Sequence, residues 1–330
     1  MSLPKLFAIV TLVLFGAIGI AALIKNKNSD TAHLQHPKVA LEVDLDREIQ
    51  TVVPALAFTS KTAQNDLFSE PALFSAALPD VDRIEEFFHP YDPKLPIVET
   101  VIYKSHVPWQ KGRPAWISDY ANYYRTSRHF IARSLNGKAD YTKQDVSEGD
   151  KFNVLRQDKN FEFYLLVDTS RCKMWFYYID LDTKQKVLVK TYHLGLGRLD
   201  SSKASGLLTP IGMYSLGDQV AIYKPNVKGL YQGKKIDLIT VFGTRWIPFE
   251  KEIGHATAAA KGFGIHGTPW SYDTNGVLID DQSSLGKYES DGCIRLATQD
   301  MEELFSIIIS RPTVIEIVRN FYDSKLADIE

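Results

Sequence analysis

The sequence predicts a mainly β protein, and two patterns in its second half support that prediction. Between residues 161 and 216, short runs rich in β-branched and aromatic residues alternate with turn residues, as is typical of a β-sandwich or barrel. One helical pattern interrupts the strands near Thr298. The chain has 330 residues, of which 45% are hydrophobic and 24% charged, so it is long enough to bury one large core or two ordinary ones.

The charge balance argues against one class of partner. The chain carries a formal net charge of -2 at pH 7, whereas a dedicated nucleic-acid-binding domain normally has a strong basic excess. We therefore expect no nucleic acid partner.

The first element is an apolar segment near the N-terminus. Leu6 to Ile24 form an uncharged run flanked by Lys5 and Lys25, and at helical rise a run of this length crosses a bilayer. Residues 1–27 are therefore predicted to form a transmembrane helix that acts as a membrane anchor or signal. Small-residue patterns for cleavage fall inside the run rather than after it, which favours an uncleaved anchor. Lysines on both sides leave its orientation open.

Two further segments precede the β-rich region. Residues 28–99 mix short apolar stretches with charges and prolines, and we interpret them as a spacer. In residues 100–160 the pattern predicts short helices at Trp116–Tyr124 and Phe130–Leu135, and a turn leading into a strand at Asp145–Leu155. The predicted order is β-α-α-β.

The small α+β module of residues 100–160 resembles a degenerate LysM module, a glycan-binding unit. The resemblance lies in three stretches, which are Trp116–Tyr120, His129–Gly137 and Val146–Val154. It implies glycan as a partner. The alternative is that the module merely packs against the domain that follows it.

Residues 161–320 contain the strands and the single helix, and residues 321–330 form a C-terminal tail. Strands are predicted at Phe161–Asp168, Met174–Ile179, Lys186–Leu194 and Gly212–Leu216. The helix begins near Thr298, and its apolar stripe at i, i+3, i+4 and i+7 is formed by Met301, Leu304, Phe305 and Ile308. Pro312 ends the helix, and Thr313–Val318 predicts a closing β-branched strand.

Cys293 is the candidate nucleophile of this domain. It lies in the segment Ser290–Leu296 and follows the segment Ile265–Thr268. Sulfur attacks as thiolate, and an ordinary thiol with a pKa of about 8.5 is mostly protonated at neutral pH, so a base is required. His266 is the best candidate, because the glycines around it let the backbone and a ligand approach closely.

Attack on a carbonyl would create an oxyanion, which preorganised donors stabilise. The backbone amides of Gly292 and Cys293 are the candidate donors. Arg295 has a planar fork suited to a carboxylate, and it either binds substrate or holds the loop in shape. Cys172 is expected to be a packing residue, and both cysteines are expected to be free thiols.

Taken in order, these segments resemble the L,D-transpeptidase catalytic domain, the YkuD family, over Phe161–Arg319. The segments that carry the resemblance are Tyr164–Tyr178, Thr209–Tyr214, Ile265–Thr268, Ser290–Leu296 and the helix with its closing strand. The resemblance implies a β-sandwich with one helix after the cysteine motif. It also implies a location in the cell envelope, with an inner-membrane anchor and a periplasmic catalytic domain.

The resemblance implies a reaction with peptidoglycan stem peptides and glycan as partners. Cys293 would take the acyl group from a tetrapeptide stem with release of D-alanine, and an amine of a second stem would complete a 3-3 cross-link. His266 would act as the general base and acid, oriented by the backbone carbonyl of Gly267. Gly292 would form the oxyanion hole, and Ser290, Asp291, Arg295 and Thr268 would bind substrate. No metal or organic cofactor is implied.

Two alternatives remain open from the sequence. The same acyl-enzyme could be hydrolysed by water, which makes the protein an L,D-carboxypeptidase. The protein could also be a non-catalytic anchor that binds the cell wall. Asp291 motivates this second alternative, because the family often has a basic residue or histidine there and an inward carboxylate would raise the pKa of the thiol.

One loop is longer than in many relatives of the resembled family. Residues 269–289 contain Asn275-Gly276, a strong hairpin signal. We interpret the stretch as either a lid or a solvated loop.

Overall fold

The computed structural model describes residues 78–91 and 93–328. The predicted anchor of residues 1–27, and the predicted spacer up to residue 77, lie outside the described residues. Within the described part of the chain, no helix has both the length and the apolar character needed to span a membrane.

Helices and strands alternate irregularly along the described residues. In chain order they are α1 (Glu85–Phe88), β1 (Val98–Ile102), α2 (Ile117–Tyr123), α3 (Arg128–Asn136), β2 (Lys151–Leu155), β3 (Phe161–Asp168), β4 (Lys173–Asp180), β5 (Lys186–His193), β6 (Leu196–Gly197), β7 (Gly212–Leu216), β8 (Ala221–Ile222), β9 (Lys228–Tyr231), β10 (Lys234–Asp237), α4 (Ile239–Phe242), β11 (Arg245–Ala256), β12 (Gly264–Gly267), β13 (Trp270–Tyr272), β14 (Leu278–Asp280), β15 (Tyr288–Ser290), β16 (Ile294–Leu296), α5 (Thr298–Ile308) and β17 (Thr313–Val318). The mainly β class predicted from the sequence is confirmed.

The β-α-α-β order predicted for residues 100–160 is present. Strands β1 and β2 pair in antiparallel register from Val98 opposite Leu155. Ser127 caps the N-terminus of helix α3. Its hydroxyl accepts hydrogen bonds from the N–H groups of His129 and Phe130, each at 3.1 Å. The helix ends at Gly137, whose φ of 71° is the left-handed conformation that glycine adopts most readily.

One nine-stranded sheet forms the centre of the fold. Its order is β16-β12-β11-β7-β17-β3-β4-β5, with β8 pairing on β11. The predicted strands β3 and β4 pair along their whole length, from Phe161 opposite Asp180. The closing strand β17 lies parallel to β3 and antiparallel to β7. The sheet therefore joins the early strands of the domain to its last strand.

The long strand β11 places the candidate site at one end of this sheet. Its first residues pair with β12, and its later residues pair with β7. The register with β7 shifts between Phe249 and Lys251 and again between Glu252 and Ala256. Irregularities of this kind bend a strand and let it pass from one group of strands to another. Among the described strands, β12 and then β16 follow β11 at this end of the sheet; β12 contains His266, and β16 begins directly after Cys293.

The main hydrophobic core also includes residues that precede the β-rich domain. Phe87 is fully buried, with its ring centroid 5.9 Å from that of Phe130 in α3 and 6.2 Å from that of Phe176 in β4. Ile84, Phe88, Leu95, Ile97 and Val98 belong to the same core. Residues 84–88 and 95–98 of the stretch interpreted as a spacer therefore contribute to the packed core. Their helix α1 is four residues long, too short to produce a periodic pattern.

The upstream module packs against the following domain through a buried arginine. Arg245 of β11 is 2% exposed, and its Nη2 lies 2.5 Å from Oδ1 of Asp140 and 3.6 Å from Oε1 of Glu302. Its guanidinium also lies 5.5 Å from the ring centroid of Phe305 in α5. A buried guanidinium requires such partners, because an unpaired buried charge is costly.

Phe87→Ala is expected to lower the free energy of unfolding by about 3–5 kcal/mol, because it removes a fully buried ring. Urea unfolding followed by tryptophan fluorescence should still show one transition, since the ring contacts both the module and the sheet. Tyr91→Ala is the control, because Tyr91 lies in the same stretch and is 66% exposed. If Phe87→Ala lowers the free energy of unfolding by less than about 1 kcal/mol, or if a second transition appears, this stretch is not part of the core.

Candidate active site

The site is built where β12 and β16 run side by side. They pair in parallel, with His266 opposite Arg295 and Gly267 opposite Leu296. On its other side β12 pairs with β11, where Trp246 lies opposite His266. All four residues of β12 are buried, so the strand is held by hydrogen bonds on both edges and by packing on both faces. Cys293 immediately precedes β16.

His266 is enclosed by aromatic rings and held by a backbone hydrogen bond. It is 3% exposed, and its ring centroid lies 5.5 Å from that of Phe242 and 5.9 Å from that of Trp246. Nδ1 donates to the carbonyl oxygen of Gly267 at 2.7 Å, which is the contact implied by the family resemblance. Burial lowers the pKa of His266 to about 4. At neutral pH the ring is therefore uncharged, with its proton on Nδ1 and a lone pair on Nε2.

Cys293 is half-buried and holds its proton at rest. Burial raises the pKa of its thiol to about 12, and the negative charge of Asp291 also acts to raise it. The N–H of Gly264 and the charge of Arg295 act in the opposite direction. The resting site therefore combines a thiol with a neutral imidazole instead of a thiolate with an imidazolium.

The loop before Cys293 is shaped by Ser290 and Gly292. The Ser290 hydroxyl donates to the carbonyl oxygen of Cys293 at 2.6 Å and accepts from the N–H of Gly292 at 3.1 Å. Gly292 has a φ of 121°, and a Cβ there would come within 2.6 Å of the Phe263 ring and 2.9 Å of the Leu208 carbonyl oxygen. Glycine is required by this crowding and by this backbone conformation.

These contacts change what can be expected of three predicted site residues. The Gly292 N–H, a predicted oxyanion donor, is already bonded to Ser290. Ser290 and Thr268, which were expected to bind substrate, are 1% and 0% exposed. The Thr268 hydroxyl donates to Asp280, and its N–H donates to the Leu296 carbonyl at 2.7 Å. Both side chains are enclosed by protein and make hydrogen bonds within the site, and their role in substrate binding stays a prediction.

Asp291 and Arg295 are more exposed than Ser290 and Thr268. Asp291 is exposed, and its Oδ1 lies 2.6 Å from Nη2 of Arg198 in the loop after β6. Arg295 is half-buried, and its Nε is buried without a hydrogen-bond partner among the described residues. A buried Nε without a partner is also found in four other described arginines, which are Arg128, Arg133, Arg245 and Arg311. Both predicted roles of Arg295, binding a substrate carboxylate or holding the loop, therefore stay open.

Sequence reasoning missed Tyr231, which belongs to the hairpin of β9 and β10. The hairpin turns at Gln232 and Gly233, with φ angles of 49° and 75°. Burial raises the pKa of Tyr231, and so do the charges of Asp291 and Cys293. Its ring packs against Phe242 at 5.5 Å between centroids, and Phe242 contacts the His266 ring. A glycine at the second position of a two-residue loop is a hairpin signal, but the lysine-rich strands around it show no apolar alternation.

The loop considered as a lid forms its own hairpin. Strands β13 and β14 pair from Trp270 opposite Asp280, as the Asn275-Gly276 signal predicts. Trp270 Nε1 donates to the Thr298 hydroxyl at 3.1 Å, which fixes the base of the hairpin to α5. The β9–β10 hairpin is connected to the site by a different contact, the packing of the Tyr231 ring against Phe242.

Cys172 lies apart from these residues. It is 3% exposed and occupies the turn between β3 and β4, and both cysteines are free. Among the residues that the structure describes, no group of three or more His, Cys, Asp or Glu side chains is placed to hold a metal ion.

One known protein family matches a range of residues that contains the whole candidate site. Residues 162–317 match the YkuD family, the L,D-transpeptidase catalytic domain. The YkuD match runs from β3 to β17 and spans slightly less than half of the chain. The matched range includes Cys293 and His266. It confirms the resemblance to the catalytic domain over residues 162–317. It does not extend to residues 100–160, so it does not bear on the LysM resemblance.

Two solved structures are similar to part of the chain, at low sequence identity. The chain is similar to the helical cell shape determining protein Pgp2 from Campylobacter jejuni, at 16% identity and a TM-score of 0.31, with 49% of each chain covered. It is also similar to Bd1075 from Bdellovibrio bacteriovorus, at 18% identity and a TM-score of 0.31, with 48% of each chain covered. The chain thus spans about half the length of these structures. No curated protein sequence matches it.

The low pKa of His266 predicts that stability depends on pH. The imidazole of the unfolded chain takes up a proton below pH 6.5, whereas the folded protein resists protonation until about pH 4. Because the unfolded state binds more protons in this window, stability falls as pH decreases through it, by up to about 3 kcal/mol for this group. Urea unfolding at a series of pH values measures the slope.

His266→Gln is expected to reduce that slope, because the variant has no imidazole to protonate at this position. His129, whose pKa burial also lowers to about 4, keeps its own contribution in the variant. His106→Gln, at an exposed histidine, is the control and should keep the wild-type slope. If His266→Gln also keeps it, the imidazole is not buried in its neutral form.

Proposed function

We propose that residues 162–317 form an L,D-transpeptidase domain that acts on peptidoglycan stem peptides through Cys293. One observation carries the proposal. The matched family domain contains a neutral imidazole, oriented by a backbone carbonyl, on a strand hydrogen-bonded to the strand that follows Cys293. A thiol and a neutral base on neighbouring strands are the parts that acyl transfer by cysteine requires.

The first half of the proposed reaction forms a thioester. The Cys293 sulfur attacks the carbonyl carbon of the third residue of a tetrapeptide stem, and His266 Nε2 takes the thiol proton. The base is needed because burial raises the pKa of the thiol to about 12, which leaves little thiolate at neutral pH. The C–N bond to the terminal D-alanine then breaks, and His266 returns the proton to the leaving amine.

The second half of the reaction forms the cross-link. The side-chain amine of another stem attacks the thioester carbonyl, His266 accepts a proton from that amine, and the sulfur leaves as a thiol. The product is a 3-3 cross-link. If water attacks in place of the amine, the product is a tripeptide and the activity is that of an L,D-carboxypeptidase.

One backbone donor, free among the described residues, and one side chain support these steps in the proposal. The Cys293 N–H is a candidate oxyanion donor, whereas the Gly292 N–H would first have to leave the Ser290 hydroxyl. Arg295, with its unpartnered Nε beside the nucleophile, would bind a substrate carboxylate. Since the substrate is in the wall, the proposal places the domain in the cell envelope, with residues 1–27 as the expected membrane anchor.

Cys293→Ala is expected to reduce D-alanine release from a disaccharide tetrapeptide by about 10⁴-fold or more, because it removes the nucleophile. Cys172→Ala is the matched control, since this second free thiol is buried in a turn and should leave the release rate nearly unchanged. Mass spectrometry of the products separates the alternatives. Dimers indicate transpeptidation, and tripeptide alone indicates hydrolysis. Binding to sacculi without any D-alanine release would leave the wall-binding anchor as the function.

A second candidate function is glycan binding by the upstream module, which its exposed aromatic side chains favour. Trp116 is 52% exposed and Tyr123 is 41% exposed. The Tyr123 ring stacks on Trp109, with 4.4 Å between centroids and 10° between planes, and the Arg113 guanidinium lies 5.0 Å from the Trp116 ring centroid. Rigid, exposed aromatic faces are typical of binding surfaces, and the C–H faces of sugar rings pack well against them.

The double variant Trp116→Ala/Tyr123→Ala tests this second candidate. In a Cys293→Ser background, which prevents covalent attachment, it is expected to weaken binding to purified sacculi by about 10-fold or more, given about 0.5–1.5 kcal/mol for each aromatic contact. Tyr272→Ala, at an aromatic residue of β13 that is 61% exposed, is the control. Equal binding by the two variants would exclude these rings as the glycan contact.

A further inference from the structure

A surface ion pair links the nucleophile loop to the loop after β6. Arg198 Nη2 lies 2.6 Å from Asp291 Oδ1, and the two side chains are 57% and 54% exposed. Exposed pairs of this kind contribute little to folding stability. The position of this pair matters more than its strength, because Gly292 alone separates Asp291 from Cys293.

The backbone of Arg198 is fixed against the nucleophile loop. Its N–H donates to the Ser290 carbonyl at 3.0 Å, and its carbonyl accepts from the Leu208 N–H at 2.8 Å. The preceding residue, Gly197, packs so closely that a Cβ there would come within 2.9 Å of the Gly292 Cα. The Arg198 side chain therefore starts from a position that is set by the loop it pairs with.

The charges around the Cys293 thiol come from several elements. Asp291 acts against ionisation of the thiol, and Arg295 of β16 acts in favour of it. The charges of Glu289 of β15 and Tyr231 of β9 act to raise the pKa of Arg295, against the larger effect of burial, and His266 of β12 is neutral at neutral pH. Asp291 is thus the carboxylate nearest in sequence to the nucleophile, and Arg198 is its ion-pair partner.

We propose that Arg198 is a positioning residue for the nucleophile: it binds Asp291 and keeps the charge of that carboxylate neutralised beside Cys293. The chain can therefore have an acidic residue at this position and retain a reactive thiol. The inference rests on the proposed function in taking Cys293 as the reactive cysteine. It adds that the Arg198–Asp291 pair limits how far the Asp291 charge displaces the pH range in which the thiol reacts.

The pH dependence of Cys293 alkylation by iodoacetamide tests the proposal on the full chain. Peptide mass spectrometry reads the modification of Cys293 separately from that of Cys172. Arg198→Ala and Arg198→Gln should each displace the alkylation profile upward by about half a pH unit, because they leave the Asp291 charge unpaired near the thiol. At a fixed pH below the pKa of the thiol, where the protein is folded, this displacement is measured as an alkylation rate about threefold lower. In 1 M salt this displacement should shrink.

The double variant shows whether Arg198 acts through Asp291. In an Asp291→Asn background, adding Arg198→Ala should not displace the alkylation profile further than Asp291→Asn alone does. Arg156→Ala is the matched control, because Arg156 forms another exposed pair with an aspartate, Asp158, and it should not move the profile. Thermal unfolding of each variant confirms that it is folded.

The outcomes separate this inference from the proposed function. The role of Arg198 is overturned if neither Arg198 variant displaces the alkylation profile of Cys293. It is also overturned if Arg198→Ala displaces the profile equally with and without the Asp291 carboxylate. If wild-type Cys293 is not alkylated even at alkaline pH while the protein is folded, Cys293 is not a reactive thiol, and the proposed function fails with it.

Discussion

The candidate site depends on the pairing of one short buried strand with neighbours on both edges. Strand β12 has four residues, and hydrogen bonds hold it antiparallel to β11 and parallel to β16. Without β12, the histidine and cysteine motifs, which lie more than twenty residues apart in the sequence, would have no fixed relation. The parallel register also brings Arg295 opposite His266, so both residues of the proposed catalytic pair experience the same positive charge.

Enclosure of this strand determines the electrostatics of the site. Removal of water lowers the pKa of the imidazole and raises that of the thiol, because each shift favours the uncharged form. A neutral pair has little charge to attract water or stray ions, and in the proposed reaction charge would separate only as the sulfur attacks a carbonyl. The same enclosure gives the surrounding donors a stronger effect than they would have in water.

The sequence predicted those features that are encoded locally or in strong motifs. Strands β3 and β4 and helix α5 have long, regular patterns, and the segments around Cys293 and His266 identify the family domain. Contacts between distant segments were not predictable in this way. Arg198 meets Asp291, and the Tyr231 ring packs against Phe242, only because of how the strands are ordered. The occupation of the Gly292 N–H by Ser290 depends on a side-chain rotation that no spacing reveals.

Adjacent residues of β11 face different parts of the protein. Arg245 is held by Asp140 of the upstream module, and the next residue, Trp246, stacks on the His266 ring. Successive side chains of a strand point in opposite directions, so a single strand separates the module from the imidazole. No flexible hinge lies between them in this stretch. Asp140 and the ring that packs on the imidazole are thus linked through the backbone of two adjacent residues, so a movement of the module at Asp140 would reach the wall of the site directly.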